Sequence, residues 1–233
     1  MRYQVLRHAI LHGKKSQQGF TLVEIAIVLV IIGLLLGGIL KGQEMITQAK
    51  IKNVVNDFNG ITAALNSYQD RYRAIPGDDR NAATRWTTQS LPAAGTITGN
   101  GQITGAYNAT LTAVAVTTQE SNLFWWHLRL SGFVAGPTSG VAAGIQPNNA
   151  VNGIMGVETG AGAGTQGFAS LIICTSNLPD KIAIAVDSQM DDGAPDTGQV
   201  RGQSQTAPNP NLGAAATGYQ ETGTNQYLLC KNL

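Results

Sequence analysis

The sequence predicts an α+β protein: one long N-terminal helix, membrane-spanning in its first half, packed on a C-terminal antiparallel β-sheet head. Three observations predict it. Residues 20–40 form an apolar run interrupted near its start by one carboxylate, Glu24. Beyond Lys41, apolar residues recur at Ile51, Val54, Val55, Phe58, Ile61, Leu65, Tyr68 and Tyr72, the three- and four-residue steps of one helical face. The last third holds short Ile-, Val- and Leu-rich segments bounded by turn residues, close together and without long helices between them.

The chain opens on a basic leader. Arg2, Arg7, Lys14 and Lys15 precede Gly19, with no acid among them. Positive flanks stay cytoplasmic, which directs the C-terminal bulk across the membrane. The apolar run that follows is long enough to cross a bilayer as a helix, for which about 20 residues suffice. A charge inside such a run costs on the order of 3 kcal/mol, so Glu24 reads as functional. A secretory signal is cut after its apolar stretch, at a small-residue site. Here the only matching junction, Gly19-Phe20, lies before that stretch, so cutting there removes the leader and keeps the helix.

The pattern Gly19-Phe20-Thr21-Leu22-Val23-Glu24, running into the apolar stretch, resembles the processing site of type IV prepilins and type II secretion pseudopilins. The resemblance implies cleavage between Gly19 and Phe20 by a prepilin peptidase and methylation of the new amino group on Phe20. It further implies assembly into a filament through Glu24, which pairs with the amino group of a neighbouring subunit. Glu24's own chain is expected to offer it only the Phe20 amino group. A plain signal anchor is the competing reading of the same helix.

The organisation expected is a leader over 1–19, a membrane and assembly half of the helix over 20–40, its amphipathic half over 41–75, and a periplasmic globular head over 76–233. One helix from about Thr21 to Arg73 would be roughly 80 Å long. Two helices broken near Gly37-Gly38 are the alternative. Gly33, Gly37, Gly38 and Gly42 give two spacings that let membrane helices approach closely. Ala74-Ile75-Pro76-Gly77 ends the helix, because proline disfavours helix before itself. Asp78 and Asp79 are expected to cap a short helix through Trp86. Residues 87–119 read as loop and irregular strand, and Glu120 to Leu130 as a short helix stopped by Gly132, with its aromatics in the core. Residues 135–167, rich in glycine and alanine, read as a flexible surface excursion. Phe168 to Cys174, Lys181 to Asp187 and Gln226 to Cys230 read as strands.

Composition narrows the function. Loss of the leader leaves 11 Lys and Arg against 14 Asp and Glu, and no basic run, so nucleic acid is not an expected partner. The sole histidine after the leader, His127, stands among tryptophans and reads as structural. No nucleophile, base and acid set and no Cys-x-x-Cys stands out, which argues against an enzyme. The stretch Gly99 to Gly105 has one residue too many for a phosphate loop and no strand-to-helix context. Asn108-Ala109-Thr110 is a glycosylation sequon of a kind common by chance. Cys174 and Cys230 both fall in the translocated part, where an even count favours a disulfide over two free thiols; many pilins staple their C-terminal region this way.

Asp187, Asp191, Asp192 and Asp196 follow the second expected strand and could supply oxygens to calcium. The spacing is not that of an EF-hand, and a solvated Asp-Gly hairpin turn is the competing and favoured reading. Calcium is the only cofactor with a candidate site.

The function expected is a structural subunit, minor or specialised, of a type IV pilus or type II secretion pseudopilus. Before assembly it sits in the bacterial inner membrane by a single pass, and its partners are other pilin or pseudopilin subunits and the prepilin peptidase. The alternative is a membrane-tethered adhesin or DNA-binding pilin-like module.

Overall fold

The computed structural model describes residues 19–87, 97–111 and 119–233. The basic residues of the leader, and residues 88–96 and 112–118 of the expected loop, lie outside the described residues. The chain divides into two compact units, Met1–Met45 and Ile46–Leu233.

Helix α1 runs without a break from Leu22 to Tyr72. Gly37 and Gly38 do not interrupt it, and among the described residues nothing beyond the adjoining helix backbone lies within 4 Å of a Cβ added at Gly33, Gly37, Gly38 or Gly42. Within the second unit, Ile51, Val54, Phe58, Ile61, Ala64, Leu65 and Tyr68 of α1 are buried. They form one stripe because three- and four-residue steps return to the same face of a helix. The helix stops where Arg73 takes φ 54° and Pro76-Gly77 turns the chain. Gly77 has φ 94°, and an added Cβ would stand 2.5 Å from the Glu120 carbonyl oxygen, so this turn requires glycine.

Two further helices follow, α2 (Ala82–Arg85) and α3 (Glu120–Leu130). Helix α3 is buried from Glu120 through Arg129, and Phe124, Trp125 and Leu128 join the α1 stripe in the main core. Strands β1 (Met155–Thr159), β2 (Leu171–Pro179), β3 (Val200–Gln205) and β4 (Gln226–Asn232) form one antiparallel sheet in the order β1-β2-β4-β3. Helix α4 (Asp180–Met190) connects β2 to β3.

Strand periodicity sorts the sheet's two faces. Val157, Ile173 and Leu229 face the main core with α1, while Ile172, Cys174, Leu228 and Cys230 pack with Tyr107 and Phe168 on the other side. Cys174 lies directly opposite Cys230 across β2 and β4, and the two form a disulfide on that second face.

Three expectations need correction. Lys181 to Asp187 is not a strand but lies within helix α4. Ile182, Ile184 and Val186 alternate in the sequence, yet the buried residues are Asp180, Ile182, Ala183, Val186 and Asp187, a helical face. Pro179 and Asp180 supply the helix start.

Residues 135–167 are likewise not a loose excursion. They hold strand β1 and two 3-10 turns, at Val141–Gly144 and Ala163–Thr165. Glycine serves close approach here: a Cβ on Gly156 would lie 2.0 Å from the Tyr107 carbonyl oxygen, and one on Gly153 the same distance from that of Ser176.

Asp78 does not cap α2; Asn81 occupies the N-cap and makes no side-chain capping bond, while Asp79 Oδ1 accepts the Asn81 amide at 2.9 Å just ahead of the helix. The other Asp79 oxygen accepts from Tyr68 Oη and Arg85 at 2.7 Å each, tying the end of α1 to α2. Burial pushes the Asp79 carboxyl up, but hydrogen bonds from Arg85, Tyr68 and Asn81 outweigh it and hold it below its ordinary value. Asp78 turns into the loop at 98–101, accepting from the amides of Gly99 and Gly101 and from Thr98 Oγ1. That loop therefore spends its glycine amides on an internal carboxylate.

Candidate functional site: the N-terminal segment

Gly19 and Phe20 lie before the helix, both solvent-exposed, Phe20 at 83%. The Gly19-Phe20 bond thus stands in non-helical, accessible chain directly ahead of α1. From Leu22 on, the first half of the helix buries nothing: Leu22 is 91% exposed, Leu34 74% and Leu40 66%. The span has mean hydropathy 2.8 and meets the length and composition of a membrane-crossing helix. An apolar surface this extensive needs a cover, of lipid or of other helices. Lys41, the first cation after it, pairs with Glu44 at 2.9 Å.

Glu24 is not limited to the Phe20 amino group for a partner in its own chain, which corrects the expectation. Its Oε2 accepts from the Thr21 amide and from the Thr21 hydroxyl, each at 2.8 Å, and the Glu24 amide donates to Thr21 Oγ1 at 3.3 Å. This is a capping box, the reciprocal bonding of Thr-x-x-Glu at a helix start. Its signal was in the sequence, since Thr21-Leu22-Val23-Glu24 has the required spacing. The box uses one carboxylate oxygen; Oε1 has no hydrogen-bond partner among the described residues.

The acidic loop is the second candidate. Asp187, Asp191 and Asp192 each offer an oxygen within 4.8 Å of the others, and Asp196 is not in that group. The loop is no hairpin: it carries the chain out of α4 into β3. Its carboxylates already accept from its own surroundings. Asp187 takes Tyr219 Oη at 2.5 Å and the Gly193 amide at 3.3 Å; Asp191 takes the amides of Gln199 and, at 2.9 Å, Val200; Asp192 takes Ala194 N–H at 2.9 Å and Thr197 Oγ1 at 2.5 Å. Burial pushes the Asp187 carboxyl up to about 6, against the lowering bond from Tyr219. The cluster is thereby accounted for as loop architecture, and acidity alone is no evidence of a metal.

His127 is fully buried beside the Tyr68 and Trp86 rings, its Nδ1 accepting the Gly77 amide at 2.9 Å. Asn108, the sequon residue, donates its side-chain amide to Asn209 O and Asn211 Oδ1.

An exposed junction before a helix long and apolar enough for a membrane, carried by a chain with an α+β head, gives the chain a pilin-like layout. Comparison with known families agrees. The model of the prokaryotic N-terminal methylation motif matches residues 14–40, the leader type of type IV prepilin-like proteins. No curated protein and no solved structure matches the chain.

Proposed function

We propose that this chain is a structural subunit, minor or specialised, of a type IV pilus or type II secretion pseudopilus. A prepilin peptidase cuts it between Gly19 and Phe20, and the new amino group of Phe20 is methylated. The observation that carries the reading is the methylation motif over 14–40, coinciding with an exposed junction that directly precedes an uncovered apolar helix. In this reading the leader is 1–19, residues 20–40 are the membrane anchor and then the filament core, 41–75 continue the helix, and 76–233 form a periplasmic head.

Glu24 supplies the register. Its Oε2 holds the helix start, and its Oε1 receives the ammonium of a neighbouring subunit's N-terminus. A carboxylate surrounded by lipid or apolar helices strongly favours such a cation. The adhesin or DNA-binding alternative has less support. Arg85, which stacks on Tyr72 and Trp86, is neutralised by Asp79 and spent on the fold.

Expression with and without a prepilin peptidase tests the reading. Peptidase should convert the chain to a form beginning at Phe20, and Gly19→Leu should block that conversion. A mature form beginning elsewhere overturns the proposal.

A further inference from the structure

A cavity of about 280 Å³ opens against the outer half of α1, inside the second unit. Asp57, Gly60 and Ile61 of the helix face Trp125, Phe133 and Asn148 across it. A second recess of about 300 Å³ shares Asn56, Asp57 and Asn148 with it. Nothing in the processing or assembly reading uses this place.

Three features of the cavity point to a ligand. Asp57 is half-buried, and its carboxylate has neither a hydrogen bond nor an ion pair among the described residues. Burial pushes that carboxyl up, since a charge leaving water without a partner is disfavoured. Exposed Asn56 and Asn148 stand at the mouth of the same cavity, and their side-chain amides have no partner among the described residues. Finally, Gly60 lies in the helix interior, where glycine costs about 1 kcal/mol relative to alanine. The packing does not require it: among the described residues nothing beyond the adjoining helix backbone lies within 4 Å of an added Cβ. Its effect is to keep the cavity open beside Asp57.

We propose that this cavity binds a lysine side chain presented by a neighbouring polypeptide. The chemistry matches group by group. An ammonium has three N–H donors and no acceptor. The Asp57 carboxylate and the amide oxygens of Asn56 and Asn148 are three acceptors around one opening. The apolar and aromatic wall of Ile61, Trp125 and Phe133 suits a lysine stem, which buries its methylenes while the head stays among polar groups. Arginine fits less well, because its fork of five donors seeks paired acceptors in one plane.

The test uses the full chain in detergent micelles, with ¹⁵N-labelled tryptophan and the Trp125 indole signal assigned through Trp125→Phe. The probes are Nα-acetyl-lysine methylamide and its norleucine counterpart, which has the same stem without the charge. The lysine probe should shift the Trp125 signal saturably, with affinity about tenfold above that of the norleucine probe. Asp57→Asn should erase that preference, and Gly60→Leu should abolish binding of both. Equal binding of the two probes, or an unchanged preference in Asp57→Asn, overturns the proposal, as does a Trp125 signal unmoved at about 50 mM probe. If Gly60→Leu fails to fold, Asp57→Asn decides alone, because Asp57 makes no bond that the fold would lose. Butylammonium binding as tightly as the capped lysine would assign the site to free amines and overturn the polypeptide source.

Discussion

At the scale of single residues, the proposed assembly gives Glu24 two separable roles, since Oε2 holds the helix start and Oε1 is left for the neighbouring subunit. Thr21→Ala removes the hydroxyl of the capping box and should cost the helix start about 1 kcal/mol while leaving the carboxylate charge in place. Glu24→Gln keeps an oxygen for Thr21 but loses the charge. It should be inserted and processed normally yet fail to enter filaments, scored by shearing and immunoblotting; normal incorporation would refute the pairing role. Asp191 is a structural residue whether or not cations are present. Asp191→Ala strands the amide of buried Val200 and should destabilise the head by about 1–3 kcal/mol, a fall of several degrees in Tm.

His127 makes stability depend on pH. Burial, against a raising influence from Asp79, lowers its pKa from the ordinary 6.5 to about 4. Because the folded-state value is the depressed one, the contribution is complete above pH 6.5 and is lost as pH falls toward 4. Denaturant titrations at pH 7 and pH 4.5 should show a larger drop for the native chain than for His127→Gln. Equal drops would show that protonation of this imidazole is not linked to unfolding.

At the scale of elements, the sequence was most legible where one periodicity acted alone. Helix α1 shows its stripe plainly, and α3 its glycine stop and its buried aromatics. Lys181 to Asp187 carries both patterns: Ile182, Ile184 and Val186 alternate, while Ile182, Ala183 and Val186 share a helical face. Tertiary packing decided for the helix. The glycines at 153 and 156 misled for another reason. Composition cannot distinguish a glycine that loosens a loop from one that lets backbone approach backbone, and only the positions of Ser176 and Tyr107 tell them apart.

The disulfide joins two central strands on the sheet's second face and spans 56 residues of sequence. Replacing both cysteines with alanine should cost about 2–4 kcal/mol, read as a lower denaturation midpoint in the absence of reductant. Gly60→Ala should do the opposite and raise stability by about 1 kcal/mol, since the helix gains propensity and the added methyl meets nothing. A loss of stability in Gly60→Ala would mean that the helix is constrained there in a way its surroundings do not reveal.

At the scale of the whole molecule, the two units follow different physical rules. The head satisfies itself: its apolar stripe, both faces of its sheet and its buried carboxylates find partners within residues 46–233, the cavity beside Asp57 apart. Among its described residues, the first unit leaves almost every apolar side chain uncovered, an exposed surface that calls for a cover of lipid or other chains. In the sequence, the all-round apolar segment and the one-sided segment that follows it already differ in pattern. The cavity was not legible, because its walls come from α1, α3 and the chain leading into β1, and no local pattern unites Asp57 with Asn148.

The central claim is that the chain is cut in front of its apolar helix and keeps that helix. Mass spectrometry of the N-terminal peptide, after co-expression with a prepilin peptidase, tests it directly. The account predicts a peptide that begins at N-methylated Phe20 and retains the full apolar run. A mature chain that still begins in the leader, or one cut beyond Leu40 with the helix lost, would contradict it.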